Sequence, residues 1–174
     1  YAFDVSGHRL DALGPRLKRS GLSNVHPAAI AHERDERVKR LSGKIDRVLV
    51  DAPCTGLGTL RRNPDLKWRQ SPKAVEEMVA KQTAILASAA RLVKPGGRLA
   101  YATCSVLPQE NEEIAEAFSL AHPDFEPLDA GEVLAQLKVE NAASLCSGGE
   151  TGARYLRLWP HIHHADGFFA ALWV

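Results

Sequence analysis

The sequence lacks the features that would direct it to a membrane or to an oxidising compartment. No run of about 18 apolar residues occurs in its 174 residues, so no transmembrane helix is predicted. The opening stretch "YAFDVSGHRL" carries an acid where a signal peptide needs an apolar run. The three cysteines are too few for an even disulfide framework. We therefore expect free thiols, a cytoplasmic protein and no membrane partner.

The sequence also lacks a glycine-rich turn ahead of its first acid, Asp4. In nucleotide-binding α/β domains, an acid that ends the second strand binds a ribose about 20 residues after such a turn. Asp4 leaves no room for that turn, and the glycine clusters at 95–97 and 147–152 fall elsewhere. Spacing alone leaves two interpretations open: Asp4 caps a helix, or the chain lacks the first strand of its sheet.

What the sequence does contain is an alternation of strand and helix patterns. The predicted strands are "YAFDVS", "NVHPAAIAHE", "KIDRVLVDAP", "GRLAYATC", "ARYLRLWP" and "DGFFAALWV". Helices are predicted to begin at Ser6, Ser71 and Pro108, and Pro15 is expected to kink or shorten the first of them. The apolar run 48–50 predicts a strand covered on both faces. This order predicts an α/β fold with a mostly parallel, doubly wound sheet.

Ligands bind such sheets beyond the carboxyl ends of the strands. Asp51 ends one predicted strand, with Cys54 just beyond it, and Cys104 ends the next strand along the chain. If these strands are neighbours, about 4.8 Å apart, the two sulfurs could face one pocket and form a disulfide, bind a metal or share a covalent mechanism. A metal needs further ligands at matching spacing, and the His cluster "HIHH" at 161–164 is far along the chain and lacks a clear ligand pattern, so none is predicted. Cys146 is interpreted as a small buried hydrophobe, as most free cysteines are.

The net charge of +1 conceals an uneven distribution of charge. Residues 1–74 hold 15 Lys and Arg against 8 Asp and Glu, whereas residues 75–174 hold 7 against 13. A basic loop follows Cys54, and its residues of interest are Arg61, Arg62, Lys67, Trp68 and Arg69. As an RNA contact the loop offers phosphate neutralisation and a stacking surface. The alternative is a solvated basic loop with Trp68 packed into the core.

Two long motifs carry a resemblance to a known family. "DAPCTGLGTLRRNPDLKW" together with "YATCSVLPQENE" resembles the Sun/Fmu group of bacterial ribosomal RNA 5-methylcytosine methyltransferases. "FDVSGHRL" and "LRLWPHIHHADGFFAAL" resemble the second and last motifs of that group. The resemblance implies a Rossmann-like methyltransferase fold that uses S-adenosyl-L-methionine. Because the family has a glycine-rich cofactor loop before the Asp4 position, it also implies that residues 1–174 form a catalytic domain lacking its first strand.

The resemblance further implies a covalent mechanism that needs both thiols. Carbon 5 of cytosine is a poor nucleophile until a thiolate adds to carbon 6. By this likeness Cys104 attacks carbon 6, Cys54 assists release, and Asp51 holds the cytosine edge near ring nitrogen 3. The substrate implied is RNA of the small ribosomal subunit, with the target base unpaired or flipped.

The cofactor site implied by the resemblance draws on four residues. Asp4 would bind the cofactor ribose, Asp51 would border the cofactor, and Pro53 would line the pocket. Asp35 is favoured over Glu33 as the acid that approaches the adenine.

Two other functions compete with this one. A DNA cytosine-5 methyltransferase also uses a Pro-Cys dipeptide, and Cys54 would then attack; it needs no second thiol, so "TCS" at 103–105 argues against it. A non-catalytic RNA-binding fragment would hold RNA through the basic half without turnover, and cofactor titration separates that case.

Overall fold

The computed structural model describes residues 1–148 and 154–174, so the predicted glycine cluster at 147–152 lies largely outside the described residues. The chain divides into two compact units, Tyr1–Ser42 and Gly43–Val174. None of the helices in the described ranges is both long enough and apolar enough to cross a membrane.

The unit Tyr1–Ser42 contains two short strands and two helices. Its elements are β1 (Ala2–Asp4), α1 (Gly7–Ser20), β2 (Pro27–Ala29) and α2 (Glu36–Lys39). The strands β1 and β2 pair in parallel. As predicted, α1 begins after Ser6, whose hydroxyl accepts a hydrogen bond from the Arg9 amide. The helix is not shortened at Pro15 but continues to Ser20, because the carbonyl that loses its partner belongs to the exposed Asp11 and is open to water.

The unit Gly43–Val174 holds a larger sheet and its covering helices. Its strands are β3 (Ile45–Asp51), β4 (Val93–Thr103), β5 (Pro127–Leu128), β6 (Cys146–Gly148), β7 (Arg154–Leu158) and β8 (Phe168–Trp173). Its helices are α3 (Leu66–Arg69), α4 (Pro72–Ala90), α5 (Glu112–Ala121), α6 (Ala130–Gln136) and α7 (Pro160–His163). The long helix α4 begins as predicted, with the Ser71 hydroxyl accepting from the Ala74 amide and Pro72 at its first position.

The strand order in this sheet is β3-β4-β8-β7-β6, with β5 paired to β8. β3 and β4 are parallel, whereas the pairings β4–β8, β5–β8, β6–β7 and β7–β8 are antiparallel. The parallel part of the sheet is therefore smaller than predicted. The chain between β7 and β8 is α7 and a few flanking residues, which is too short for the crossover that a parallel pair needs.

The core of this unit lies between the sheet and helices α4 and α5. Its largest buried side chains include Leu86, Leu99, Tyr101, Phe169 and Trp173.

On β3 the side chain of Val50 joins this core, but Leu49, which points to the opposite face, is 69% exposed. The expectation that β3 is covered on both faces is therefore wrong within this unit. β3 is the terminal strand in the described sheet order, and α4 packs on it from the face that carries Val50.

Candidate active site

The two thiols are brought together by the parallel pairing of β3 and β4. Asp51 pairs with Ala102, and the Ala52 amide then donates to the Ala102 carbonyl at 2.9 Å, so both strands leave the sheet at the same edge. The Sγ atoms of Cys54 and Cys104 lie 3.5 Å apart, and both residues are free thiols. The strands are thus neighbours, as the paired-thiol hypothesis required.

The environment shifts the pKa values of the two thiols in opposite directions. The hydrogen bond from Cys54 is the main cause that lowers the pKa of Cys104 to about 7, against the opposing effects of burial and of the Asp51 and Glu110 carboxylates. The same hydrogen bond, with burial, raises the pKa of Cys54. Cys104 is therefore the group that ionises near neutral pH, and Cys54 remains the protonated donor.

A buried carboxylate connects the two loops that carry the thiols. Glu110 is 0% exposed and accepts hydrogen bonds from the Thr55 amide at 2.8 Å, the Thr55 hydroxyl at 2.6 Å and Gln82 Nε2 at 3.0 Å. The Ser105 hydroxyl donates to the same carboxylate. Sequence reasoning gave Glu110 no role, and only its place between a strand end and a helix start could have suggested one.

The loop after Cys104 is also fixed from both of its sides. Asn111 Nδ2 donates to the Ser105 carbonyl at 3.1 Å, and the Thr103 hydroxyl donates to Asn111 Oδ1. Arg157 Nη2 donates to the Val106 carbonyl at 3.0 Å, and the Arg157 side chain is only 2% exposed. These bonds fix the residues on both sides of Cys104, from Thr103 to Val106.

Gly58 lies at a close approach of three backbone segments. Its amide donates to the Cys104 carbonyl at 2.9 Å, and its carbonyl accepts from the Gly167 amide at 2.8 Å. A Cβ at position 58 would lie 2.6 Å from the Cys104 carbonyl oxygen and closer still to that of Gly167. Only glycine fits here, and the second glycine of "GLGT" is the sequence signal for this close approach.

The predicted cofactor residues lie in both units. Asp51 and Pro53 are exposed at the end of β3, and the Pro53 carbonyl accepts from Gln82 Nε2 at 2.9 Å. Asp4 ends β1, accepts from the Ser6 amide at 2.8 Å and lies 3.5 Å from Arg9. The residue that caps α1 is Ser6, and the Asp4 carboxylate accepts from the backbone amide of that cap.

Asp35 proves to be the capping residue of α2, a helix that sequence reasoning missed. Its carboxylate oxygens accept from the amides of Ala31 at 3.0 Å and Arg37 at 2.9 Å. These backbone hydrogen bonds lower the pKa of Asp35. Glu33, the less favoured candidate, lies 3.5 Å from Arg34.

The basic loop after Cys54 is partly neutralised by two acids, of which Asp65 pairs with Arg69 at 2.6 Å and Asp166 with the two arginines before it. Arg61 Nε lies 3.1 Å from Asp166, and Arg62 forms an ion pair with the same carboxylate. Arg61 Nη1 also donates to the His164 carbonyl at 2.9 Å. The two arginines therefore connect this loop to the segment before β8, which sequence reasoning did not foresee.

Trp68, in contrast, is 80% exposed, so the alternative that it packs into the core is wrong. The Lys67 Nζ atom lies 4.7 Å from the centre of its ring. The helix α3 is one short turn and carries Trp68 away from the core. The pair presents a cation beside an open aromatic surface.

The third cysteine lies apart from this arrangement. Cys146 is half-buried at the start of β6, and burial raises its pKa. Within residues 1–148 and 154–174 no group of three or more His, Cys, Asp or Glu side chains is placed to hold a metal ion.

The fold is the Rossmann-like fold of S-adenosylmethionine-dependent methyltransferases, and similar solved structures share it over nearly the whole chain. The family model described as 16S rRNA methyltransferase RsmB/F matches residues 1–174, and the chain belongs to that family. The resemblance read from the two cysteine motifs is thereby confirmed.

Individual relatives match almost all of the chain. A probable ribosomal RNA small subunit methyltransferase B from Synechocystis sp. is 40% identical over 98% of the chain. PH0851, known from a crystal structure, has 38% sequence identity over 99% of the chain, and its structure matches with a TM-score of 0.85. NSun6 from Pyrococcus horikoshii, solved with the S-adenosylmethionine analogue SFG, is 27% identical over 99% of the chain, with a TM-score of 0.76. The chain spans 36%, 36% and 40% of these three proteins, respectively.

Proposed function

We propose that this chain is the catalytic domain of an enzyme that methylates carbon 5 of cytosine in small-subunit ribosomal RNA, with S-adenosylmethionine as methyl donor. The observation that carries the proposal is the thiol pair, in which Cys104 has a pKa of about 7 and lies 3.5 Å from Cys54. Membership in a ribosomal RNA methyltransferase family supports the RNA substrate, and the relative solved with SFG supports the cofactor.

The exposed strand end fits a ligand rich in hydrogen-bond donors. Asp51 presents a carboxylate at the edge where ligands bind in this fold, with Pro53 beside it. We assign Asp51 to the cytosine edge and the border of the cofactor, Pro53 to the pocket wall, and Asp4 to the cofactor ribose. Asp35 retains free lone pairs after accepting two backbone amides and is assigned to the adenine. When bound, S-adenosylmethionine supplies an electrophilic methyl group.

Attack begins with the Cys104 thiolate. Its sulfur adds to carbon 6 of cytosine, a double bond forms between carbon 4 and carbon 5, and ring nitrogen 3, held beside Asp51, takes up a proton from solvent that it returns at release. Carbon 5 then takes the methyl group and keeps its own proton. Covalent catalysis thus converts a weak carbon nucleophile into an enamine-like one.

Release follows from the coupling between the two thiols. Once the Cys104 sulfur is bonded to carbon 6, the hydrogen bond and the charge that raise the pKa of Cys54 are both gone. Cys54 can then lose its proton to solvent and take the proton of carbon 5. The electron pair of that C–H bond restores the double bond and expels the Cys104 sulfur as a thiolate, which again receives the Cys54 hydrogen bond.

RNA is held by the basic loop after Cys54. Arg61, Arg62 and Lys67 neutralise phosphate, and the exposed ring of Trp68 offers a stacking surface for an unpaired base. The target cytosine must leave any helix to reach a thiol at the strand ends.

The test is a denaturing gel of two single variants with cofactor and labelled RNA, in a polypeptide of the relatives' full length that carries this chain. We expect no covalent adduct from Cys104→Ala, because nothing adds to carbon 6. Cys54→Ala should transfer methyl and then stall, so that an adduct resistant to denaturation accumulates. An adduct from Cys104→Ala and none from Cys54→Ala would indicate the DNA-type mechanism, and no adduct from either would indicate a binding module.

A further inference from the structure

The residue that follows each thiol donates a hydrogen bond to one and the same carboxylate. Thr55, next to Cys54, donates to Glu110 through both its amide and its hydroxyl. Ser105, next to Cys104, donates to Glu110 through its hydroxyl. Thr55 and Ser105 are 3% and 0% exposed, so water does not compete for these bonds.

Other groups fix the carboxylate itself. Gln82, on the long helix α4, donates to Glu110 at 3.0 Å and to the Pro53 carbonyl at 2.9 Å. The Tyr101 hydroxyl, on β4, donates to the Glu110 backbone carbonyl at 2.6 Å. Glu110 is thereby connected both to β4, the strand that leads to Cys104, and to the loop that carries Cys54.

We propose that Glu110 is a positioning residue that sets the separation of the Cys54 and Cys104 sulfur atoms by joining Thr55 to Ser105. The effect of this role on methyl transfer rests on the proposed function, but its effect on the separation of the two sulfur atoms does not. Charge-assisted hydrogen bonds to a buried carboxylate are stronger than neutral ones, and they fix both loops with one side chain.

Two substitutions at position 110 distinguish the effect of the hydrogen bonds between the two loops from the effect of the negative charge. In Glu110→Ala, the Thr55 amide loses its acceptor, Gln82 keeps only the Pro53 carbonyl, and the two loops lose their connection. In Glu110→Gln, the amide oxygen can still accept from these two N–H donors. Its NH₂ group then faces the hydroxyls of Thr55 and Ser105, which rotate to accept. Glutamine should therefore preserve the bridge, and alanine should not.

The measurement is the equilibrium between the thiol pair and oxidised glutathione, in which two protein thiols become one internal disulfide and two molecules of reduced glutathione form. Its constant reports how closely the two sulfurs are held and needs neither RNA nor cofactor. We expect Glu110→Ala to lower the constant by about tenfold or more, and Glu110→Gln to stay within about threefold of the parent. The pH midpoint of Cys104 alkylation should rise in the alanine variant only.

The matched control is Glu113→Ala, which removes an exposed carboxylate from helix α5. It should leave both measurements unchanged. If Glu110→Ala does not fold, as judged by circular dichroism, two half-bridge variants replace it. Ser105→Ala removes the bond on the Cys104 side, and Thr55→Val removes the hydroxyl bond on the Cys54 side but keeps the amide bond, so both should lower the constant and Ser105→Ala should lower it more. A folded Glu110→Ala with an unchanged constant would overturn the proposal, as would a folded pair of half-bridge variants with no effect. A failure of methyl transfer alone would leave these results standing.

Discussion

The Cys54 and Cys104 sulfur atoms lie 3.5 Å apart although 50 positions separate the two residues in the chain. Parallel pairing of β3 with β4 accounts for this closeness, since both strands end at one edge. The contact makes the two thiols unequal, with Cys104 the more acidic of the two. This inequality supports the proposal that Cys104 attacks and Cys54 assists release.

The first prediction concerns the pH at which Cys104 reacts. In Cys54→Ala the hydrogen bond that lowers the pKa of Cys104 is lost, while burial and the Asp51 and Glu110 charges, which raise it, remain. The pKa of Cys104 should therefore rise above 7, and its alkylation by iodoacetamide at pH 7 should slow by about tenfold. The rate is measured against pH by mass spectrometry of the Cys104 peptide. A midpoint that stays near pH 7 in the variant would contradict the coupling.

The second prediction concerns the pKa of Cys54 when Cys104 is removed. In Cys104→Ala the main causes that raise the pKa of Cys54 are removed, and burial alone remains. The pKa of Cys54 should fall, so that its alkylation at pH 8 becomes faster than in the parent. Cys146, which lies apart from the pair, serves as the internal control because its rate should not change. If Cys54 reacts no faster when Cys104 is absent, the release step proposed for it loses its physical basis.

The thiol pair and the basic loop could be found from the sequence, because both depend on local order along the chain. Cys54 and Cys104 each follow a strand pattern, and strand ends converge on one edge. Glu110 could not be found, because the letters around it do not show that its carboxylate is buried among donors from α4, the Cys54 loop and the Cys104 loop. The pairing of Arg62 with Asp166 joins positions that are 104 residues apart and has no local signal.

The sheet illustrates the same limit. Alternation of strands and helices correctly indicated an α/β fold, but strand direction depends on connection length and on which strand inserts where. β8 enters between β4 and β7, and this placement makes the second half of the sheet antiparallel. The exposure of Leu49 likewise depends on what packs against β3 and not on the apolar run itself.

The third prediction tests the close approach at Gly58. A Cβ there would lie 2.6 Å from the Cys104 carbonyl oxygen, so Gly58→Ala must displace the backbone that carries the thiol. We expect a loss of about 1–3 kcal/mol in the free energy of unfolding in urea. The equilibrium constant for the internal disulfide with Cys54 should also fall. Gly148→Ala is the control, because no atom of residues 1–148 or 154–174 lies within 4 Å of a Cβ there. Equal free energies of unfolding for the two variants would show that the backbone around Cys104 can shift without loss of stability.

The fourth prediction concerns the charge pair that holds the basic loop. In Asp166→Asn, the arginines Arg61 and Arg62 lose their carboxylate partner and become available to phosphate. RNA affinity should rise, whereas replacing both arginines with alanine should lower it and flatten the salt slope by about 1.4, for two contacts to a single strand. Lys81 and Lys138, exposed elsewhere in the unit, give a matched double substitution. If the double-alanine variant keeps the salt dependence of RNA affinity but loses its single-turnover rate, the two arginines act in the chemical step and not in RNA binding.

The last prediction uses the open ring of Trp68. Because the side chain is 80% exposed, Trp68→Ala should leave the free energy of unfolding unchanged. It should weaken binding of single-stranded RNA by about tenfold, since base stacking on an aromatic ring contributes roughly 1–3 kcal/mol per base. Trp68→Phe should recover most of the affinity, because a smaller ring still stacks. Leu120→Ala, at a side chain 83% exposed, is the control for loss of surface area. Affinity is measured by fluorescence anisotropy at fixed salt, and a variant that binds RNA as tightly as the parent would exclude stacking at this site.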